Sequence, residues 1–289
     1  MRYREPVYRP PSEANSYLLH VTYGCSHNKC TYCAMYLSKT FEVRPEAEVL
    51  EDIREAARQM PETRRVFLLD GDALTLSAKR LLPILDALRA AFPNLQRVGA
   101  YANAVSINSK SDEDLRALKD AGIGIAYLGL ETGDPVTNER IVKGASIEDQ
   151  ITAVRRAQTA GIKMSVMALL GMGSRDRSHE HAVETGKVLS AMDARFISCL
   201  CVTPVPGTPL HDEVEAGRFE VLEPEETLAE LETLVEHLDV TGSVFRSNHA
   251  SNYLPLGGRL PADKERLLEA IRAARRGEVD LRPEWARGL

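Results

Sequence analysis

The chain has 289 residues and a formal net charge of −6, with 44% hydrophobic and 27% charged residues, as expected for a folded protein with a sizeable core. The acidic balance argues against a nucleic-acid-binding protein, and the sequence shows neither an apolar leader nor a run of 18 apolar residues. Five cysteines, three of them within nine residues, favour a metal site in a reducing compartment over a disulfide framework. We therefore expect a cytoplasmic protein with no membrane segment.

Short β-rich runs alternate with amphipathic helical patterns through the first two thirds of the chain. Six runs are predicted strands: 17–22, 66–70, 97–101, 124–130, 161–170 and 195–202. Helices are predicted between them at 46–60, 77–91, 111–121, 147–160 and 178–192. Parallel neighbours need such crossover helices, so the pattern predicts an α/β fold, with a partial barrel or a flavodoxin-like or Rossmann sheet as alternatives.

The alternation stops after Pro209. Helices are predicted at 225–238 and 262–276, and the segment 241–261 between them reads as a loop. We expect an N-terminal extension (1–14), a core domain (15–210) and a short, mostly helical C-terminal extension (211–289) that covers one end of the sheet. In any such α/β architecture, the chemistry belongs at the C-terminal ends of the strands.

Three cysteines follow the first predicted strand, Cys25, Cys30 and Cys33, in the run Cys-Ser-His-Asn-Lys-Cys-Thr-Tyr-Cys. Thiolates at spacings of four and two residues can bind three corners of a cubane iron–sulfur cluster. One iron then lacks a protein ligand, and an open coordination position is what a catalytic metal site needs. The loop therefore predicts a 4Fe-4S cluster with one iron available to a substrate.

Two other metal sites stay open for this loop. A structural zinc ion could use the three cysteines with His27 or a distant histidine as fourth ligand. A closed cluster could take Cys199 or Cys201 as its fourth ligand. Zinc sites typically pair two short-spaced halves, and no second Cys or His pair at such spacing occurs in the sequence, which favours the open cluster.

The cysteine loop, with Tyr32 directly before its last cysteine, resembles that of the radical S-adenosylmethionine (SAM) superfamily. The strand pattern matches the partial (β/α)6 barrel of that superfamily, although the usual cysteine spacing is three then two residues. The sequence Pro-Gly-Thr-Pro-Leu at 206–210 resembles the elongator-type and coproporphyrinogen-dehydrogenase-like branch. The resemblance covers about residues 15–210 and implies a 4Fe-4S cluster and SAM as cofactors.

The resemblance also implies which residues hold SAM. Asp70, Gly71 and Asp72, after the second strand, resemble the turn that binds the methionyl amino group through backbone oxygens. Glu131, at the end of the fourth strand, would accept hydrogen bonds from both ribose hydroxyls. Without the resemblance, the Asp-Gly-Asp run would read as an ordinary turn and Glu131 as a surface carboxylate.

Further positions are assigned by the same resemblance. Gln150 and Ser165 would make polar contacts with the ribose or the methionyl carboxylate. Leu169 to Gly171 would contact adenine through the backbone, because glycine lets a flat base approach the main chain closely.

The resemblance implies reductive cleavage of SAM to methionine and a 5′-deoxyadenosyl radical, which abstracts hydrogen from a small-molecule substrate. A flavodoxin- or ferredoxin-type protein would supply the electron, and the enzyme would be an oxidoreductase or a transferase. An RNA-modifying radical SAM enzyme and a non-catalytic zinc or iron–sulfur protein are the alternatives. The sequence assigns no residue to the chemistry of the substrate itself.

Two features near the C-terminus have two readings each. Cys199 and Cys201 share one face of the sixth predicted strand. We interpret them as small buried residues, with contact to substrate or quenching of a radical as the alternative. Polar and aromatic side chains of the predicted loop could form the floor of a substrate cavity, or belong to an ordinary ordered loop. They are Arg246, His249, Asn252 and Tyr253.

Overall fold

The computed structural model describes residues 1–288, and residue 289 of the predicted extension lies outside them. The strands are β1 (Tyr17–His20), β2 (Thr22–Tyr23), β3 (Glu42–Val43), β4 (Arg65–Leu69), β5 (Arg97–Tyr101), β6 (Ile123–Glu131), β7 (Lys163–Leu170), β8 (Phe196–Cys201), β9 (Val244–Ser247) and β10 (Leu256–Arg259). The helices are α1 (Glu46–Gln59), α2 (Ala78–Ala91), α3 (Ala104–Asn108), α4 (Asp112–Asp120), α5 (Pro135–Arg140), α6 (Ile147–Thr159), α7 (Ser174–Met192), α8 (Pro209–Glu215), α9 (Pro224–Glu236) and α10 (Lys264–Arg275).

Eight strands form one sheet in the order β1-β4-β5-β6-β7-β8-β9-β10, and β2 pairs with β3 in a separate ribbon. The pairs β1–β4, β4–β5, β5–β6, β7–β8 and β8–β9 are parallel, whereas β9–β10 is antiparallel. The six predicted strands correspond to β1 and β4 to β8, and the predicted helices are also present with ends shifted by a few residues. The predicted α/β fold, a partial (β/α)6 barrel, is confirmed.

The chain divides into two compact units. The first contains Met1–Asn28, Met35–Leu128 and Thr152–Met164. The second contains Lys29–Ala34, Gly129–Ile151 and Ser165–Leu289. The boundaries predicted from the sequence at 14/15 and 210/211 stay a prediction.

Local chemistry explains where several helices begin. The Ser111 hydroxyl accepts the N–H of Asp114 at 3.0 Å and so caps α4. Ser146 caps α6 in the same way, accepting the N–H of Asp149 at 3.1 Å. Gly122 follows α4 with a φ of +120°, which a residue with a side chain rarely adopts. Residues of these types are the start and stop signals that a sequence displays.

The predicted loop at 241–261 is wrong in part, because it contains β9 and β10. β9 pairs with β8 in parallel register, with Val244 opposite Phe196 and Phe245 opposite Ile197. Phe245 is fully buried, so burial against β8 stabilises a strand of only four residues. A four-residue strand next to a glycine-containing one gives too little alternation to be recognised from sequence.

The strand β4 shows why the core reads as continuous apolar sequence. Val66, Phe67, Leu68 and Leu69 are all fully buried. A parallel strand inside an α/β sheet is covered on both faces, so its side chains do not alternate between apolar and polar. Across residues 1–288, no helix combines the length and apolar character needed to cross a membrane.

Candidate active site

Cys25 opens the cysteine loop and lies against the turn after β4, both within the first unit. A Cβ atom added to Gly71 would lie 2.6 Å from Cys25 Cβ and 2.9 Å from its Sγ. The Gly71 N–H donates to the Gly24 carbonyl at 3.1 Å. Only glycine therefore allows this turn to approach the cysteine so closely.

Asp70 fixes the start of the cysteine loop from the end of β4. Its buried carboxylate accepts the N–H of Gly24 at 2.7 Å and two contacts from Lys39 Nζ at 3.0 and 3.1 Å. His20 Nε2 lies 3.3 Å from the same carboxylate. Burial raises the pKa of Asp70, but His20, the Gly24 N–H and Lys39 outweigh it and the pKa is lowered. The Asp70 side chain is thus fully engaged with protein groups.

Asp72 has the same structural role on the other side of Gly71. Its carboxylate accepts hydrogen bonds from the Ser26 hydroxyl, Asn103 Nδ2 and the Ser106 hydroxyl, each at 2.8 Å. Burial is the largest influence on this group and raises the pKa of Asp72 to about 6. Because both carboxylates are occupied, a ligand at this turn would have to bind its backbone, where the Asp72 carbonyl already accepts the Thr75 N–H at 3.3 Å.

Glu131 ends β6 in the second unit, and its carboxylate folds back over the main chain. Its Oε1 accepts a hydrogen bond from Lys143 Nζ at 2.9 Å. A Cβ atom at Gly129 would lie only 1.8 Å from that oxygen, so the carboxylate occupies the space that a side chain would fill. Glu131 itself has a φ of +67°, a conformation that costs energy outside glycine and often marks functional sites.

Lys143 links Glu131 to the second part of the cysteine loop. Its Nζ lies 3.4 Å from the Tyr32 hydroxyl. Burial lowers the pKa of Lys143, but the negative charge of Glu131, with those of Cys30 and Cys33, outweighs it and raises the pKa. The ammonium therefore stays charged between the carboxylate and the two thiols. Lys143 could not be singled out from the sequence, since a lone lysine after a short helix gives no signal.

The segment 29–34 is anchored by backbone contacts within the second unit. Thr31 donates its N–H to the Ile141 carbonyl at 3.0 Å and accepts the Leu210 N–H at 2.9 Å. Tyr32 packs beside a buried cluster that includes Ile141 and Leu210. Cys30 and Cys33 thus lie on a segment held at two points of its backbone.

Gln150 and Ser165, the two further candidates for SAM contacts, differ in their positions on α6 and β7. Gln150, in the first turns of α6, is buried and donates to Asn138 Oδ1 at 3.2 Å. Ser165 is buried near the start of β7, five residues before the end of that strand. At 3.3 Å per residue, this is about 16 Å from the end of β7, where Leu169 to Gly171 lie. Both assignments stay predictions, and the position of Ser165 gives it the least support.

The end of β7 has its backbone polar groups already paired. The Leu169 carbonyl lies 3.1 Å from His181 Nε2, and the Gly171 N–H donates to Glu230 Oε1 at 2.6 Å. Gly171 has a φ of +82°, as expected for a tight turn after a strand. Neither His181 nor Glu230 was singled out from the sequence.

The polar residues of the C-terminal segment bind mainly to protein. Asn252 donates to the Cys199 carbonyl at 2.8 Å and accepts the Cys201 N–H at 2.9 Å. His249 Nδ1 lies 2.9 Å from the Ser251 hydroxyl, and Tyr253 donates to Glu284 at 3.1 Å. A cavity floor built from these side chains and Arg246 stays a prediction.

Cys199 and Cys201 lie on the buried face of β8, as predicted. Burial raises the pKa of Cys199 and raises that of Cys201 to about 11. Both are therefore neutral thiols at pH 7, which agrees with their reading as small buried residues.

The donor set of the cysteine loop fits an iron–sulfur cluster. Cys25, Cys30 and Cys33 are half-buried on one nine-residue loop, and none of them forms a disulfide. Within residues 1–288, no three His, Cys, Asp or Glu side chains converge closely enough to hold a single metal ion. A cubane does not require such convergence, because each thiolate binds a different iron.

Comparison with known proteins identifies the family. The model of the radical SAM superfamily matches residues 19–185, more than half of the chain. Biotin synthase from Persephonella marina is 24% identical over 290 residues, covering 93% of this chain and 82% of that protein. The crystal structure of methylornithine synthase superposes with a TM-score of 0.55 at 16% identity, covering 78% of this chain and 63% of the other. Coproporphyrinogen III oxidase from Escherichia coli gives 0.58 at 12% identity, covering 76% and 51%.

The chain belongs to the radical SAM superfamily. It is a radical SAM enzyme, with a 4Fe-4S cluster and SAM as its cofactors. At these identities, the two solved structures show a shared fold and nothing about the substrate.

Proposed function

We propose that Cys25, Cys30 and Cys33 hold the 4Fe-4S cluster and that the enzyme cleaves SAM reductively to act on a small molecule. When bound and reduced, the cluster supplies the electron that converts SAM to methionine and a 5′-deoxyadenosyl radical, which abstracts a hydrogen atom from the substrate. The observation that carries the proposal is a loop of three half-buried cysteines, none of them in a disulfide, in a chain of this family.

Within the proposal, the turn after β4 binds the methionyl end of SAM. The carboxylates of Asp70 and Asp72 are saturated by protein donors, so the backbone oxygens at 70–72 would accept the hydrogen bonds of the SAM amino group. Gly71 lets that backbone lie against Cys25. This division explains why the turn combines buried acids with a glycine.

Glu131 would receive the ribose hydroxyls. Its carboxylate is held at the end of β6 by Lys143, and two hydroxyl donors on adjacent carbons suit a bidentate carboxylate. Gln150 is a further candidate for the ribose or the methionyl carboxylate, because its amide lies buried on α6. Ser165 stays a candidate only because of the resemblance of this segment to the radical SAM superfamily.

The substrate and the electron donor are proposed by chemical class only. A small molecule is favoured because the chain is acidic, with a net charge of −6, and RNA binding needs a basic surface. A flavodoxin- or ferredoxin-type protein would deliver the electron.

Two variants test the proposal. Cys30→Ala should lose both the bound cluster and the reductant-dependent formation of 5′-deoxyadenosine. Glu131→Ala should retain iron and sulfide but bind SAM about tenfold more weakly, since it loses hydrogen bonds to a charged acceptor. Iron, sulfide and zinc analysis of anaerobically purified protein, with chromatography of the nucleoside product, measures both. A cluster that survives in Cys30→Ala would contradict the ligand assignment.

A further inference from the structure

Two buried side chains that the proposed function does not use hold the end of β7. His181 on α7 faces the Leu169 carbonyl at 3.1 Å, and Glu230 on α9 accepts the Gly171 N–H at 2.6 Å. Both side chains are 0–2% exposed. The two backbone groups flank Leu170, the last residue of β7, so this pair defines how the main chain leaves the strand.

The remaining polar atoms of the pair are engaged as well. A carbonyl can only accept, so His181 donates to Leu169 from Nε2, which also lies 3.5 Å from Glu230 Oε1, and its Nδ1 lies 2.8 Å from the Thr132 hydroxyl. Glu230 Oε2 accepts the Ser178 hydroxyl at 2.5 Å. Each group is fixed by a second partner, which makes its orientation rigid.

The backbone after β7 needs to be held in place because its glycines can adopt many conformations. Gly171 and Gly173 flank Met172 directly after β7, and Gly171 adopts a φ of +82°. Glycine loses more conformational freedom on ordering than any other residue. The Gly171 N–H donates a short hydrogen bond to the buried Glu230 carboxyl group, and this bond restricts that freedom.

We propose that Glu230 is a positioning residue for the adenine of SAM. Together with His181, it holds the 169–171 backbone in the conformation against which the base packs. The inference rests on the proposed function and on the prediction, from the family resemblance, that adenine lies at Leu169 to Gly171. It assigns a task to the C-terminal extension, because α9 supplies the carboxylate that orders the cofactor-binding turn.

The test compares variants of Glu230 with a matched glutamate on the same helix. Glu232 is also buried on α9, but it pairs with Arg272 and Arg275 on α10 instead of β7. Glu230→Ala, Glu230→Gln and Glu232→Ala are prepared as full-length protein and reconstituted to equal iron and sulfide content. Calorimetry then gives the Kd for SAM, for 5′-deoxyadenosine and for methionine, and thermal melts report folding.

Glu230→Ala should raise the Kd for SAM and for 5′-deoxyadenosine about tenfold and leave the Kd for methionine unchanged. Glu230→Gln keeps an oxygen acceptor for Gly171 and should restore affinity, and Glu232→Ala should bind all three ligands like wild type. At saturating SAM, the EPR spectrum of reduced Glu230→Ala should match wild type, because the methionyl end is untouched.

Unchanged SAM affinity in Glu230→Ala would overturn the inference, as would an equal loss for methionine. If Glu230→Ala does not fold, the decision rests on Glu230→Gln and Ser178→Ala. Ser178→Ala removes the hydrogen bond to one carboxylate oxygen of Glu230, so it should raise the Kd for SAM and leave the Kd for methionine unchanged. An unchanged Kd for SAM in Ser178→Ala would overturn the inference. Failure of the proposed function is distinct, because wild type would then hold no cluster or bind no SAM.

Discussion

At the scale of single residues, two glycines leave space for side chains that are candidates to bind the cluster and SAM. Gly71 leaves room for Cys25, and Gly129 leaves room for the Glu131 carboxylate. In both positions, a neighbouring functional group fills the volume of the missing side chain. A methyl group at either position therefore probes the function assigned to its neighbour.

Gly71→Ala should displace Cys25, because the new methyl carbon would lie 2.6 Å from Cys25 Cβ. Overpacking of this kind costs about 1–3 kcal/mol and here acts directly on a proposed cluster ligand. Iron and sulfide per chain should fall well below wild type. Gly242→Ala is the control, since no atom lies within 4 Å of a Cβ placed there. A full cluster in Gly71→Ala would contradict this role of the turn.

Gly129→Ala should affect SAM without affecting the cluster. The added methyl would collide with Glu131 Oε1, which can rotate away but then loses the Lys143 contact. We expect a normal melting temperature, normal iron content and a Kd for SAM raised about tenfold. Calorimetry with the reconstituted protein measures it. Wild-type affinity would show that the Glu131 orientation is not used in binding.

Residues such as Cys25 and Glu131 could be found in the sequence because motif spacing and strand ends mark them. Lys143 and Glu230 could not, because their partners come from other elements of the chain. Glu230 contacts a residue 59 positions away, and its sequence surroundings read as an ordinary acidic helix face. Such partners follow from tertiary packing, which local pattern does not encode.

At the scale of elements, α5 is positioned by its cap. Asp134 accepts the Thr137 N–H at 3.0 Å and receives two hydrogen bonds from Arg177 on α7, at 2.9 and 2.8 Å. α5 leads directly to Lys143, so its placement bears on the Glu131 contact. The sequence did not predict α5, since a six-residue helix gives fewer than two turns of pattern.

The stabilisation by Asp134 should depend on pH. Burial raises its pKa, but Arg177 and Thr137 outweigh it and lower the pKa to about 2. Since the folded pKa lies below the unfolded one, the stabilisation is present above pH 4 and is lost as the pH falls towards 2. Asp134→Asn should therefore lower the free energy of unfolding by about 1–2 kcal/mol at pH 7, and by progressively less in acid.

Denaturant unfolding across pH measures this difference. Glu213→Gln, which breaks the exposed pair with Arg218, should match wild type at every pH. A destabilisation by Asp134→Asn that is the same at pH 3 and pH 7 would show that packing, and not the charge, stabilises α5.

At the scale of the whole molecule, the alternation of strands and helices was sufficient to predict the sheet. α1 shows its helical period over 14 residues, and the shorter α4 begins at a capping serine, both of which are visible in the sequence. The strand β9 was missed because it pairs with β8, far away in sequence, and β10 was missed because it pairs with β9. Local sequence patterns therefore predict most of the core sheet, but they do not predict the strands of the C-terminal extension.

The central claim is that three cysteines hold a cubane whose fourth iron is open to SAM. The most direct measurement combines iron and sulfide analysis of anaerobic protein with EPR of the reduced protein, before and after SAM is added. We expect about four iron and four sulfide per chain and a spectrum that changes on addition of SAM. Zinc in place of iron, or a cluster spectrum that SAM leaves unaltered, would contradict it.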